Sequence, residues 1–94
     1  MNAQDLTLNI AVNLGRLGRW VADGKIARIS RFMEETENYL KQLEVAPKSE
    51  KFNKTFEIFK QKFSTLKNNR NYDDTWAEEI LTWANILTHR AKLA

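Results

Sequence analysis

Cysteine is absent from this chain, and proline and glycine together account for only four residues. Without cysteine there is no disulfide framework and no thiolate metal site, which favours a reducing, cytoplasmic compartment. So few turn-forming residues leave little room for linkers or for the many turns of an all-β fold. We therefore expect a single helical-bundle domain over residues 1–94.

Long apolar runs are also lacking. Polar residues interrupt every apolar stretch before it reaches membrane-spanning length, so no membrane partner is expected. The first five residues show no basic region followed by an apolar stretch, so no signal peptide is predicted. The chain is 43% hydrophobic, which is enough for a core, and its net charge of +3 permits an anionic partner.

Apolar residues recur at helical spacing in four segments. The first three are predicted to cover residues 5–22, 25–44 and 50–67. The fourth extends to about residue 91 and begins either at Asp73 or at a capping box of Thr75 and Glu78. Three breaks separate the segments: Asp23-Gly24, Ala46-Pro47 and the polar run 68–71. Ser49 is a suitable N-cap for the third helix.

The apolar positions alternate at steps of three and four, and the connections are short. This pattern predicts an all-α fold, a four-helix up-down-up-down bundle. The alternative is two helical hairpins completed by a homodimer. The residues expected in the core are Ile29, Met33, Leu40, Phe56, Phe59, Phe63, Ile80 and Leu87. Trp76 and Trp83 are expected at the edge of the core, with the indole N–H directed outward.

Residue types that catalysis and metal binding require are scarce. His89 is the only histidine, and one imidazole cannot build the usual zinc site. The Glu-x-x-His pairs of di-iron bundles are missing, and no arginine lies at the spacing before His89 that a helical-bundle RNase motif needs. The sequence therefore predicts a protein that is not an enzyme, with no catalytic residue, no metal and no cofactor.

The first helix carries a stripe of small residues beside its bulky apolar stripe. A glycine inside a helix costs about 1 kcal/mol relative to alanine, so two of them in adjacent turns suggest close packing. The favoured interpretation is contact with a neighbouring helix of the bundle, and the alternative is a docking seam for another molecule. The stripe consists of Ala11, Gly15, Gly18 and Ala22.

Positive charge is concentrated at one end of the predicted bundle. Antiparallel helices bring residues 14–34 and 59–83 to the same half, which holds nine cations and six acids and so accounts for the whole net charge. Four of the acids open the fourth helix, where the helix dipole favours them. The cations are the candidate contacts to a nucleic-acid backbone: Arg16, Arg19, Lys25, Arg28, Arg31, Lys60, Lys62, Lys67 and Arg70.

Arginine with aromatic and amide neighbours suits phosphate contact and base stacking on a single strand. Trp20, Tyr72 and the amide-rich run 68–71 are expected near the cations on this topology. The competing interpretation is a solvated basic face on a bundle that docks other protein subunits or associates with itself.

A small, cysteine-free, all-helical chain that is basic on one side resembles the small helical-bundle subunits of CRISPR effector complexes. The resemblance covers the whole chain in architecture and rests on no shared sequence motif. It implies a bundle that stacks in several copies along a larger assembly and holds nucleic-acid backbone with Lys and Arg. The residues it would assign to that contact are Arg16, Arg19, Arg28, Arg31 and Arg70, with the first helix as a docking seam.

Overall fold

The structure is a computed structural model that describes all 94 residues. It has four α-helices and no strand, as the sequence predicts. The helices are α1 (Ala3–Ala22), α2 (Ile29–Val45), α3 (Glu50–Asn68) and α4 (Asp74–Arg90). Residues 25–28, predicted as the start of the second helix, instead form a connection that includes a short 3₁₀ turn, Ile26–Arg28. A second 3₁₀ turn, Ala91–Leu93, follows α4.

Glycine ends α1 by adopting the left-handed conformation. Gly24 has φ 72°, and its N–H donates to the carbonyl of Val21 at 3.1 Å. The N–H of Lys25 donates to the carbonyl of Trp20 at 2.7 Å. These two bonds form a Schellman motif, which satisfies carbonyls that the end of a helix leaves free.

Side chains cap the N-termini of two helices, α1 and α4. Asn2 accepts a hydrogen bond from the N–H of Asp5 at 2.8 Å, and Asp73 accepts one from the N–H of Trp76 at 2.9 Å. Asp73, rather than the Thr75 capping box, is therefore the N-cap of α4. Ser49 precedes α3 but makes no side-chain cap, because its hydroxyl donates to the carbonyl of Leu93.

The four helices form an antiparallel bundle within one chain, with overall extents of 37 × 20 × 19 Å. Helix α1 packs against both α2 and α4, and α3 packs against α4. Ion pairs join α2 to α3 on the remaining side. The up-down-up-down prediction is confirmed, and a second copy is not needed to complete the core.

The core is rich in phenylalanine. Phe52, Phe56, Phe59 and Phe63 of α3 are all buried, and the ring centroid of Phe59 lies 5.4 Å from that of Trp83 on α4. Of the eight residues predicted to be buried, seven are; Leu40 is only half-buried because it packs at the rim of the core.

The prediction for Trp76 is wrong both in its position and in the direction of its N–H. Its side chain is buried and its indole Nε1–H donates to the carbonyl of Leu66 at 3.0 Å, rather than reaching outward. That carbonyl belongs to the last turn of α3, where the helix itself offers no partner. Trp76 therefore ties the end of α3 to the start of α4.

Candidate nucleic-acid interface

Five of the nine predicted cations lie along α1, the start of α2 and the connection between them. They are exposed and take part in no salt bridge. Asp23 is the only acidic residue between positions 14 and 33. We call these five residues the α1–α2 basic face: Arg16, Arg19, Lys25, Arg28 and Arg31.

Trp20 forms the aromatic centre of this face. Its half-buried indole packs edge-on against Phe32 of α2, with ring centroids 4.8 Å apart and an interplanar angle of 65°. The guanidinium carbon of Arg28 lies 5.9 Å from the centroid of the indole, within cation–π range. Trp20, Lys25 and Arg28 also line one shallow groove beside the Gly24 turn. The indole and the guanidinium therefore lie together at the surface, with Arg28 over the ring.

Helical geometry extends the face in both directions from Trp20. Arg16 lies one turn before Trp20 on α1, and Arg31 lies about one turn after Arg28 on α2, since residues three or four apart share a helix face. Arg19 lies towards the outer side of α1. The two helices thus supply cations on either side of the indole.

A buried amide lies between α1 and α2, the two helices that carry the basic face. Asn13 is 3% exposed and its Nδ2 donates to Oε1 of Glu35 on α2 at 3.3 Å. Asn13 therefore lies between α1 and α2. Glu35 is half-buried, so this hydrogen bond helps to fix the spacing of the two helices that carry the cations.

The other four predicted cations lie on different sides of the bundle, among acids. Lys60 contacts Glu44 at 2.7 Å and Glu57 at 3.2 Å, and Lys67 contacts Glu37 at 2.7 Å. The hydrogen bond that Lys60 donates to Glu44, assisted by one to Glu57, raises the pKa of Lys60 above its ordinary value of 10.5. Lys60 is therefore paired with acids of α2 and α3.

Lys62 and Arg70 make no salt bridge but have acidic neighbours. Lys62 lines a groove between α3 and α4 together with Asp73 and Glu79. Arg70 lines another, between α2 and α3, together with Glu34 and Glu37. Tyr72, which has φ 46°, lines the same groove as Arg70 and packs edge-on against Trp76 rather than beside Trp20. The structure thus divides the predicted nine-residue site into the α1–α2 basic face, three cations on the α2–α3 side, and Lys62 between α3 and α4.

The predicted seam of small residues on α1 is also divided. Ala11 and Gly18 are buried, whereas Gly15 is half-buried and Ala22 is exposed. A Cβ atom at Gly18 would lie 2.5 Å from Cγ of Leu81 on α4, while a Cβ at Gly15 would meet nothing within 4 Å. Gly18 therefore allows the close approach of α1 and α4, and Gly15 faces open space.

This difference predicts opposite effects of alanine at the two glycines. Gly15→Ala should raise the free energy of unfolding by about 0.5–1 kcal/mol, because it removes backbone freedom from the unfolded chain without a clash. Gly18→Ala should lower it by about 1–3 kcal/mol, because Leu81 must move out of its packed position. Chemical denaturation followed by circular dichroism measures both. Equal gains at the two sites would contradict close packing at Gly18.

Comparison of the chain with protein families, with curated proteins and with solved structures gives no match. None of the four helices combines the length and the apolar character that crossing a bilayer requires. No three His, Asp or Glu side chains are grouped so that they could hold a metal ion.

Proposed function

We propose that this protein is a non-enzymatic subunit that binds the backbone of single-stranded nucleic acid through the α1–α2 basic face. The observation that carries the proposal is the cluster of exposed, unpaired Arg and Lys side chains around the half-exposed indole of Trp20. Four of the five cations are arginine, whose planar guanidinium can donate two parallel hydrogen bonds to a phosphate.

Stacking on Trp20 adds a contact that does not depend on sequence. Every base has a flat ring face, and stacking on an aromatic side chain contributes about 1–3 kcal/mol per base. Phosphates on either side of that base could then reach Arg16 on α1 and Arg31 on α2. Binding is therefore expected to be weakly selective for sequence and strongly dependent on salt.

The resemblance to small subunits of CRISPR effector complexes supports the idea that the protein acts inside a larger ribonucleoprotein assembly. On that resemblance, Arg16, Arg19, Arg28 and Arg31 would contact the backbone. Arg70, which the resemblance also assigns, lies among acids and would contribute less. The absence of cysteine fits a cytoplasmic location, which we include in the proposal.

A second candidate function is self-association through the outer side of α1. Leu8 is 38% exposed and Val12 is 51% exposed, and they continue the heptad spacing that leads to Gly15. A second copy is the occupant that the charges favour. An antiparallel pairing of two α1 helices centred on Val12 sets Asp5 of one copy opposite Arg19 of the other.

A salt titration separates the two candidates. A fluorescently labelled single-stranded oligonucleotide is titrated with the protein at several salt concentrations, and light scattering gives the mass of the free protein. Nucleic-acid binding predicts that log K falls linearly with log salt, with a slope of about −0.7 for each phosphate contacted. A protein that dimerises but shows no oligonucleotide binding at low salt would overturn the first candidate and support the second.

A further inference from the structure

A groove between α3 and α4 lies on the opposite side of the bundle from the α1–α2 basic face. Its α3 wall includes Lys51, Lys54 and Ile58, and its α4 wall includes Ile86 and Arg90. None of these residues belongs to the site described above. We call it the α3–α4 groove.

One end of the groove is aliphatic. Ile58 is 42% exposed, and Ile86 is half-buried beside it. Trp83 forms the floor but is only 8% exposed, and its ring packs against Phe59. No aromatic face is therefore free for a base, and the two isoleucines suit aliphatic side chains instead.

The other end of the groove is basic. Lys51 and Lys54 are exposed and make no salt bridge. Nη1 of Arg90 donates to Oγ1 of Thr55 on α3 at 3.2 Å, which holds the guanidinium at the edge of the groove. No Asp or Glu lines the groove. An occupant must therefore bring negative charge to this end.

The lining has the periodicity of a helix–helix contact. On α3 the residues 51, 55 and 58 repeat at i, i+4 and i+7, and on α4 the residues 83, 86 and 90 repeat at i, i+3 and i+7. Two helices that expose such rows form a groove into which a third helix packs. Seven residues of helix span about 10.5 Å, so the groove accommodates about two turns of an incoming helix.

We propose that the α3–α4 groove binds an acidic amphipathic helix of a partner protein. Aliphatic residues of that helix contact Ile58 and Ile86, and its Asp or Glu residues, one to two turns away, pair with Lys51, Lys54 and Arg90. The site does not depend on the nucleic-acid interface. The protein would thus hold nucleic acid on one side and a protein partner on the other.

The test uses a 21-residue helical peptide with leucine along one face and glutamate on both flanks of that face. A control peptide carries lysine in place of each glutamate. Titration into ¹⁵N-labelled protein should shift the amide resonances of residues 51–58 and 83–90 with the acidic peptide only. Binding of both peptides alike, of neither, or away from the groove would overturn the proposal.

Two pairs of substitutions give a matched comparison. Lys51→Glu with Lys54→Glu should weaken binding of the acidic peptide at least ~10-fold, because attraction becomes repulsion at the basic end. Arg28→Glu with Arg31→Glu changes the net charge equally and should leave peptide binding unchanged. Ile58→Ser should weaken binding with little change in salt dependence. An equal loss from both charge pairs, or displacement of the peptide by a single-stranded oligonucleotide, would contradict a dedicated protein-binding groove.

Discussion

Replacing Phe59 by alanine should lower the free energy of unfolding by about 3–5 kcal/mol. Phe59 is 1% exposed and packs against both Phe63 and Trp83, so the substitution leaves a cavity that neighbours on two helices cannot fill without moving. Chemical denaturation followed by circular dichroism gives the difference. Because small domains have only about 5–15 kcal/mol of stability in total, the variant should be close to unfolding at ambient temperature.

The adjacent residue provides the control. Ile58 lies on the same helix but is 42% exposed, so Ile58→Ala should change the free energy of unfolding by no more than about 0.5 kcal/mol. A decrease of less than about 1 kcal/mol in the free energy of unfolding of Phe59→Ala would be much smaller than truncation of a buried Phe produces. That result would contradict the packing of α3 against α4 described above.

Reversing two charges on the α1–α2 basic face should weaken binding of a single-stranded oligonucleotide on the order of 50-fold at 50 mM salt. The substitutions are Arg28→Glu and Arg31→Glu, both at exposed positions, so the fold should be retained. Losing two phosphate contacts should lower the slope of log K against log salt by about 1.4 units. Fluorescence anisotropy across a range of salt concentrations measures both quantities.

The charge-matched control reverses Lys51 and Lys54, which are exposed on the opposite side of the bundle. This pair changes the net charge by the same amount. The slope of log K against log salt for this double variant should stay close to that of the unmodified protein. Only a small loss of affinity from long-range repulsion is expected. Equal losses from the two pairs would show that overall charge, rather than the α1–α2 basic face, governs binding.

The four helices could be predicted because their signals are local. Heptad spacing, the glycine at position 24 and the single proline mark the helices and their breaks within a few residues along the chain. The environments of Leu40 and Trp76 could not be predicted in the same way. Whether Leu40 reaches the centre of the core depends on how far α2 stands from α3, and the Trp76 N–H finds its acceptor on another helix. Both depend on contacts between helices.

The sequence predicts which end of the bundle each cation occupies, but not which side of the bundle it is on. Antiparallel topology assigns all nine cations to the same end of the bundle. It does not reveal which side of the bundle each one occupies. Glu44 and Glu37, which pair with Lys60 and Lys67, belong to another helix and are 16 and 30 residues away in sequence. Phe32 could have been noticed from the sequence, since it is aromatic and adjoins Met33 but is not among the residues expected in the core.

Mapping the oligonucleotide onto the protein tests the central claim most directly. ¹⁵N-labelled protein is titrated with an unlabelled single-stranded oligonucleotide at low salt, and the shifts of backbone amides and of the Trp20 indole N–H are followed. The account predicts the largest shifts at the Trp20 indole and along residues 16–31, with little change along residues 51–58 and 83–90. Shifts concentrated in the α3–α4 groove, or none anywhere, would contradict the α1–α2 basic face as a nucleic-acid interface.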